Sequence, residues 1–179
     1  AVVLGSGCIG LVSMMALRAR GVPKVFVTDV MDKRLQKAEE LGAAATVNSA
    51  EEDAVQAVMR LTEGRGADVI IETSGAPQAA RQAVEMAKKG AVIVFVGYSK
   101  TGEVTLPMGM ALDKELTFRT VFRYRNIYPM AIEAVAGGAV NLKGIVTNFF
   151  EFDDIRNAMD QSVKDKANIV KSVIRIAGA

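Results

Sequence analysis

The sequence predicts an α/β protein: a doubly wound, six-stranded parallel sheet followed by a C-terminal α/β appendage. Three observations predict it. Short β-branched runs alternate with longer segments of helical period, as strands joined by crossover helices do. A glycine-rich hexapeptide, Gly5-Ser6-Gly7-Cys8-Ile9-Gly10, stands between the first apolar run and the first helical one. An acid, Asp29, ends the second apolar run, about 20 residues further on.

The elements follow in order. Ala1–Leu4 is a buried strand that runs into glycine. From Ile9 to Arg20 the apolar residues Ile9, Val12, Met15 and Ala16 recur at helical spacing, and Gly21 stops the run. Lys24–Thr28 is the second strand. Lys33–Leu41 is a helix closed by Gly42, Ala45–Val47 a brief third strand, and Glu51–Leu61 a third helix. The next unit opens at Asp68: Val69–Ile71 is an apolar strand, Thr73-Ser74-Gly75 turns the chain, and Pro77 begins a helix through Met86. Gly90 precedes the strand Ala91–Val96. Leu116–Phe122 is the sixth strand and Ile127–Ala136 a helix. These are two β-α-β-α-β halves in series, the plan of the Rossmann dinucleotide-binding fold. Beyond Gly137-Gly138 the pattern changes to strand, helix, strand over Ile145–Phe152, Asp153–Val163 and Ile169–Ile176. That appendage is expected to find partner strands outside this chain.

Composition narrows the function classes. With 179 residues, half of them hydrophobic, the chain can bury one sizeable core, so one domain with an appendage is expected. A net charge of +2 gives neither a nucleic-acid footprint nor an acidic tail. No apolar run is long and charge-free enough to span a membrane, and there is no signal-peptide pattern, which makes a cytoplasmic location the default expectation. One cysteine and no histidine leave no internal disulfide, no cysteine-cluster metal site and none of the commonest general base. The chain is therefore expected to supply only part of a catalytic apparatus. Its alanine start, directly inside an apolar strand, reads as a cut through a longer protein.

The glycine hexapeptide matches G-x-G-x-x-G between a strand and a helix, with the acid in register. Gly5 permits the tight turn. Gly7 lets the backbone approach a pyrophosphate, and Gly10 lets the helix pack closely on the strands. The helix N-terminus then offers free N–H groups to phosphate. Asp29 can accept the hydroxyls of an adenosine ribose and repel a 2′-phosphate, so NAD is expected over NADP. Arg34 could instead hold that phosphate, but Asp32 nearby restores an acidic balance. The competing reading, an ordinary tight turn beside a solvated strand end, leaves the register of strand, helix and acid unexplained. Cys8 reads as a small packing residue and Met14 and Met15 as core filler. Glu72 reads either as a ribose contact or as a solvated strand end.

The stretch from Gly5 through Arg34, the run Ala67-Asp68-Val69-Ile70-Ile71-Glu72-Thr73-Ser74-Gly75 and Val96-Gly97-Tyr98 resemble the medium-chain, usually zinc-dependent dehydrogenases. The segment Val121-Phe122-Arg123-Tyr124, followed by Asn126 and Tyr128-Pro129, is similar to the sorbitol (polyol) dehydrogenases within that family, and the likeness spans nearly the whole chain. It implies that Ile9 packs on the cofactor beside the glycine turn and that Asp29 and Arg34 hold the adenosine ribose. Val96, Gly97 and Tyr98 would line the nicotinamide end. Val121, Phe122 and Arg123 would meet the carboxamide, and Arg123 and Tyr124 would reach substrate hydroxyls. The family's catalytic zinc is bound by an N-terminal domain that this chain does not contain, so no catalytic residue and no metal ligand is expected in it. Residues 1–139 are then the NAD-binding domain, and residues 140–179 a segment returning to that N-terminal catalytic domain. Cys8 stands where the family commonly has proline, and Tyr98 is bulkier than the residue usual there.

The implied function is hydride transfer between NAD and a secondary alcohol or polyol, with zinc in the full-length protein and a fragment that alone binds NAD weakly and turns nothing over. Two readings compete. An S-adenosylmethionine-dependent methyltransferase also uses a glycine loop and a following acid, but usually finishes its sheet with an antiparallel hairpin. A non-enzymatic NAD-sensing regulatory domain would have a natural start. A homo-oligomer, dimer or tetramer, is expected of the full-length protein, paired through the apolar edge strand Leu116–Phe122.

Overall fold

A computed structural model describes residues 1–176. Its centre is a six-stranded sheet in the order β3-β2-β1-β4-β5-β6, every neighbouring pair parallel. The strands are β1 (Val2–Leu4), β2 (Phe26–Asp29), β3 (Ala45–Asn48), β4 (Ala67–Glu72), β5 (Ala87–Phe95) and β6 (Thr117–Thr120). Helices α1 (Cys8–Ala19), α2 (Asp32–Glu40), α3 (Ala54–Leu61), α4 (Pro77–Met86) and α5 (Met108–Asp113) connect them, and α6 (Tyr128–Ala136) follows β6. The doubly wound α/β architecture expected from the sequence is present, and among the described residues no antiparallel hairpin finishes the sheet.

Alternation along each strand explains the two layers of helices. Val2 and Leu4 face one side, with Phe26, Val47, Ile70 and Ile93, against α3, α4 and α5. Val3 faces the other, with Val25 and Val27, against Leu11, Met14 and Met15 of α1 and Ala38 of α2. Successive strand side chains point to opposite faces, so a strand buried on both sides must be apolar throughout. Each fully buried Val or Leu contributes roughly 1.5–3 kcal/mol.

Several boundaries depart from expectation, each for a physical reason. The core face of α1 is Gly10, Leu11, Met14 and Met15, whereas Ile9 and Ala16 are exposed. The helix is apolar nearly all round, so periodicity alone could not choose its inner face. Its outer face, with Val12, Ala16 and Ala19, lines an apolar groove together with Ile127, Met130, Ala134 and Val135. The third helix starts at Ala54 rather than Glu51, because the Asp53 carboxylate caps it from Val55 N and Gln56 N. Strand β5 begins at Ala87, not Ala91: α4 runs straight into it, Ala87 pairs with Ala67, and the register shifts before Val69. The expected strand Leu116–Phe122 contracts to Thr117–Thr120, a short edge with Arg119 exposed rather than an apolar one. Helix α5 was not anticipated; it is six residues long and has no side-chain cap.

After α6 the chain makes a 3₁₀ turn at Lys143–Ile145, then β7 (Asn148–Glu151), α7 (Ile155–Lys164) and β8 (Ser172–Arg175). Strands β7 and β8 pair in parallel as a separate two-stranded sheet. The expected strand Ile145–Phe152 is shortened at both ends by 3₁₀ turns. Residues 177–179 of the C-terminal segment lie outside the described residues. Among the described residues, no helix is long and apolar enough to cross a membrane.

Candidate functional site at the carboxyl rim of the sheet

The strand order reverses between β1 and β4, and ligands of open parallel sheets bind outside the strand carboxyl ends at such a point. Register assembles the rim. Leu4 is level with Thr28 on one side and Glu72 on the other, Glu72 with Phe95, and Phe95 with Thr120. One step further along lie Asp29, Gly5, Thr73, Val96 and Val121. The ladder continues through that row: Gly5 N donates to Thr28 O, Thr73 N to Leu4 O, Val96 N to Glu72 O and Val121 N to Phe95 O. Four of these five residues were singled out in the sequence. The fifth, Thr73, could have been found by aligning the ends of the apolar runs.

At the glycine turn, Gly5 has φ +93°, which favours glycine. Gly10 sits against it so closely that a Cβ would overlap the Gly5 carbonyl oxygen. Thr73 Oγ1 donates to Leu4 O and Gly5 O at 2.9 and 3.1 Å, tying the turn to β4. Gly7 differs: a Cβ there would meet only Arg34 Nη1, at 4.0 Å. The turn is thus packed behind Gly10 and open in front of Gly7, where α1 begins without a side-chain cap. Ile9 is exposed beside it, and Cys8 packs half-buried against the α1/α2 side of the core.

Asp29 ends β2. Its Oδ2 accepts from Ser6 N at 2.6 Å and Ser6 Oγ at 2.9 Å, and its Oδ1 from Val30 N at 2.8 Å and Met31 N at 3.1 Å. Four donors match the acceptor capacity of a carboxylate, so the group is fixed before any ligand arrives. The Ser6 hydroxyl, fully buried, is the only donor of the four able to turn away. Arg34 Nε is buried with no hydrogen-bond partner among the described residues, and the Nη1 of the same guanidinium stands 4.0 Å from where a Cβ at Gly7 would lie. Asp32, expected to temper that charge, accepts from Asn48 Nδ2. A cavity of about 250 Å³ opens between Asp29, Val30 and Ser49 on one side and Ser74, Gln78 and Gln82 on the other. Ser49, Gln78 and Gln82 carried no motif in the sequence.

Across the switch point, Glu72 is not the solvated strand end that was one of its two expected readings. It is 1% exposed, and its Oε1 accepts from Ser74 N, Ser74 Oγ and Gly75 N at 2.7, 2.5 and 3.0 Å. Gly97 and Tyr98 pack on Gly75, and a cavity of about 230 Å³ lies between Phe95, Gly97, Leu106 and Thr120. Tyr98, Phe122, Arg123 and Tyr124 are exposed beyond the rim. Arg123 covers the Phe122 ring at 4.2 Å, and Tyr124 meets Tyr128 edge-on at 5.9 Å. The structure brings Gly5, Gly7, Gly10, Asp29 and Arg34 together at one end of the rim. It sets Val96, Gly97, Tyr98 and Val121 at the other, with Arg123 and Tyr124 outside both. Among the described residues, no group of three His, Cys, Asp or Glu could hold a metal ion.

Comparison with known proteins accords with this geometry. A family model described as zinc-binding dehydrogenase matches residues 8–137. Sorbitol dehydrogenase of Bacillus subtilis is 32% identical over 96% of this chain and 49% of its own length. A crystal structure of an oxidoreductase/dehydrogenase of unknown specificity from Escherichia coli superposes with a TM-score of 0.93 at 37% identity, over 99% of this chain and 50% of that one. An alcohol dehydrogenase from Escherichia coli solved with NADH superposes at 0.89 and 26% identity, over 98% of this chain and 51% of that one. The chain spans about half the length of the curated relatives it matches. With more than half its length inside the family model and its sheet rim built as described, the chain belongs to the zinc-binding dehydrogenase family.

Proposed function

We propose that this chain is the NAD-binding part of an oxidoreductase that transfers a hydride between NAD and a secondary alcohol or polyol. The observation that carries the reading is the glycine turn, open at Gly7 and closed at Gly10, beside a fixed Asp29 and the orphaned Arg34 Nε. These residues fit a dinucleotide. Gly5, Gly7 and Gly10 shape the pyrophosphate seat at the N-terminus of α1, and Ile9 packs alongside. Asp29 takes the adenosine ribose hydroxyls as the Ser6 hydroxyl turns away, Arg34 flanks the adenine, and the cavity between Val30, Gln78 and Gln82 receives the base. Val96, Gly97 and Tyr98 line the nicotinamide end, and Val121, Phe122 and Arg123 offer groups to its carboxamide. Arg123 and Tyr124 reach the substrate hydroxyls. NAD held there would supply the hydride acceptor or donor; these residues would orient it and exclude water.

The reading extends to the full-length protein, whose catalytic zinc would lie in residues outside this chain. With no histidine and one cysteine, this chain's own residues do not fit such a metal. Residues 1–139 would be the NAD-binding domain, and residues 140–179 would return to the catalytic domain. The protein would work as a dimer or tetramer, in the cytoplasm. The sorbitol dehydrogenase relative and the NADH-bound neighbour support polyol and NAD respectively. The test is NAD reduction by the full-length protein with sorbitol and xylitol against a simple primary alcohol. Turnover with the polyols is expected, and none from this chain alone. Polyol turnover with NADP alone, or by this chain alone, would overturn the reading.

A further inference from the structure

We propose that Glu72 is a positioning residue that holds the β5 rim segment, Val96–Tyr98, against the turn after β4, and so fixes the nicotinamide end of the site. The proposal rests on the cofactor reading above. Glu72 ends β4 and is 1% exposed, yet no cation pairs with it among the described residues. A buried carboxylate is costly unless its oxygens are hydrogen-bonded. Here the donors all come from the adjacent turn: Ser74 N, Ser74 Oγ and Gly75 N converge on Oε1. The same residue's main-chain oxygen accepts from Val96 N at 2.8 Å and Gly97 N at 2.9 Å. Its second carboxylate oxygen faces Gly97, where a Cβ would lie only 2.5 Å from it and would overlap Gly75 N. Gly75, at φ +70°, lies in turn against the Tyr98 main chain. One side chain thus sets the spacing of two turns that contribute to the site.

Ser74 also borders the cavity beside Asp29, but the anchors of the glycine turn and of Asp29 itself do not involve Glu72. Thr73 is fastened to Leu4 O and Gly5 O by its own N–H and hydroxyl, and Asp29 is held by Ser6, Val30 and Met31. Removing the Glu72 carboxylate therefore frees Ser74–Gly75, the turn on which Gly97 and Tyr98 pack, while Val96 and Gly97 keep their bonds to the Glu72 main-chain oxygen and the glycine turn stays anchored. The two halves of a dinucleotide respond differently, and a residue that merely supported the fold would weaken both alike.

The experiment titrates this chain with NAD and with ADP-ribose, which lacks the nicotinamide. Wild type is expected to bind NAD more tightly. In Glu72→Leu, ADP-ribose binding stays within about twofold while NAD falls to the ADP-ribose level, a loss of about tenfold, the scale of a lost charge-assisted hydrogen bond. Glu72→Gln keeps an acceptor oxygen for the turn and restores most of the difference. Gly97→Ala, which forces the same two turns apart, reproduces the loss if Glu72→Leu does not fold. Equal weakening of both ligands, or an intact NAD advantage in Glu72→Leu or Gly97→Ala, overturns the role of Glu72. A wild type that binds both ligands equally overturns the nicotinamide assignment and this proposal together; one that binds neither overturns the cofactor reading itself.

Discussion

Substituting Gly10 by alanine tests the packing behind the glycine turn. A Cβ at Gly10 would lie 1.8 Å from the Gly5 carbonyl oxygen, 2.9 Å from its carbon and 3.0 Å from Thr73 Oγ1, whereas ordinary contact begins at 3.4 Å. Helix α1 must therefore retreat from the turn by about 1.6 Å, and the obstacle is backbone that cannot rotate aside. Overpacking of this kind costs roughly 1–3 kcal/mol. Against it, alanine gains about 1 kcal/mol of helix propensity over glycine, because Gly10 lies within α1. The steric cost is expected to win by up to about 2 kcal/mol, a fall in Tm of up to about 8 °C for a chain of this size. The matched control is Gly109→Ala in α5, where nothing stands within 4 Å and φ is not positive. That variant should melt at or slightly above wild type, since it gains propensity without a clash. Circular dichroism melts read both, and titration with NAD reads the site, which should weaken about tenfold in Gly10→Ala alone if the pyrophosphate seat moves. A Gly10→Ala melt equal to that of Gly109→Ala would refute the reasoning.

Three further outcomes follow from particular side chains. Lys114 Nζ donates to Val84 O, Glu85 O and Ala87 O at 3.0, 2.7 and 2.9 Å, closing the end of α4; Lys114→Met should cost about 1–2 kcal/mol in chemical denaturation. Burial lowers the Lys114 pKa, with Glu85 opposing, so the unfolded chain binds more protons as this lysine titrates; wild-type stability gains as pH rises toward the ordinary lysine range, and Lys114→Met should lack that gain. The hydrogen bond from Lys88 is the main cause holding the Asp68 carboxyl below its ordinary range, so its small contribution is present above about pH 4 and is lost as pH falls through the lowered value. With both side chains well exposed, Asp68→Asn should cost no more than about 1 kcal/mol at neutral pH, and its melts should converge with wild type in acid. Arg123→Ala should leave Tm within the scatter expected of an exposed side chain, yet reduce polyol turnover of the full-length protein about tenfold or more. Unchanged turnover would remove Arg123 from the substrate site.

What the sequence made legible is what local geometry demands. The turn at Gly5 needs φ > 0, the helix after it needs a glycine where it meets that turn, and β2 must end in an acid at the rim. These requirements fall within 25 residues and leave a motif. Gly75 and Gly97 answer the same kind of demand, one turn packed on another, but they are brought together only by the pairing of β4 with β5, and no spacing announces it. Glu72 was readable as an acid at a strand end; that it is buried depends on Ser74 and Gly75 folding back over it. Ser49, Gln78 and Gln82 line the cavity beside Asp29 because of where β3 ends and α4 begins, and ordinary polar residues give no sequence signal of that. The inner face of α1 was misread because apolar residues surround it, so a stripe could be drawn through Ile9 and Ala16 that the sheet does not cover.

The central claim is that Asp29, fixed by Ser6, Val30 and Met31 at the rim beside the glycine turn, makes this chain an NAD site that rejects a 2′-phosphate. Calorimetric titration of the chain with NAD and with NADP measures it most directly. NAD should bind the more tightly, and Asp29→Ala should erase the difference. Equal or tighter binding of NADP by the unaltered chain would contradict the account.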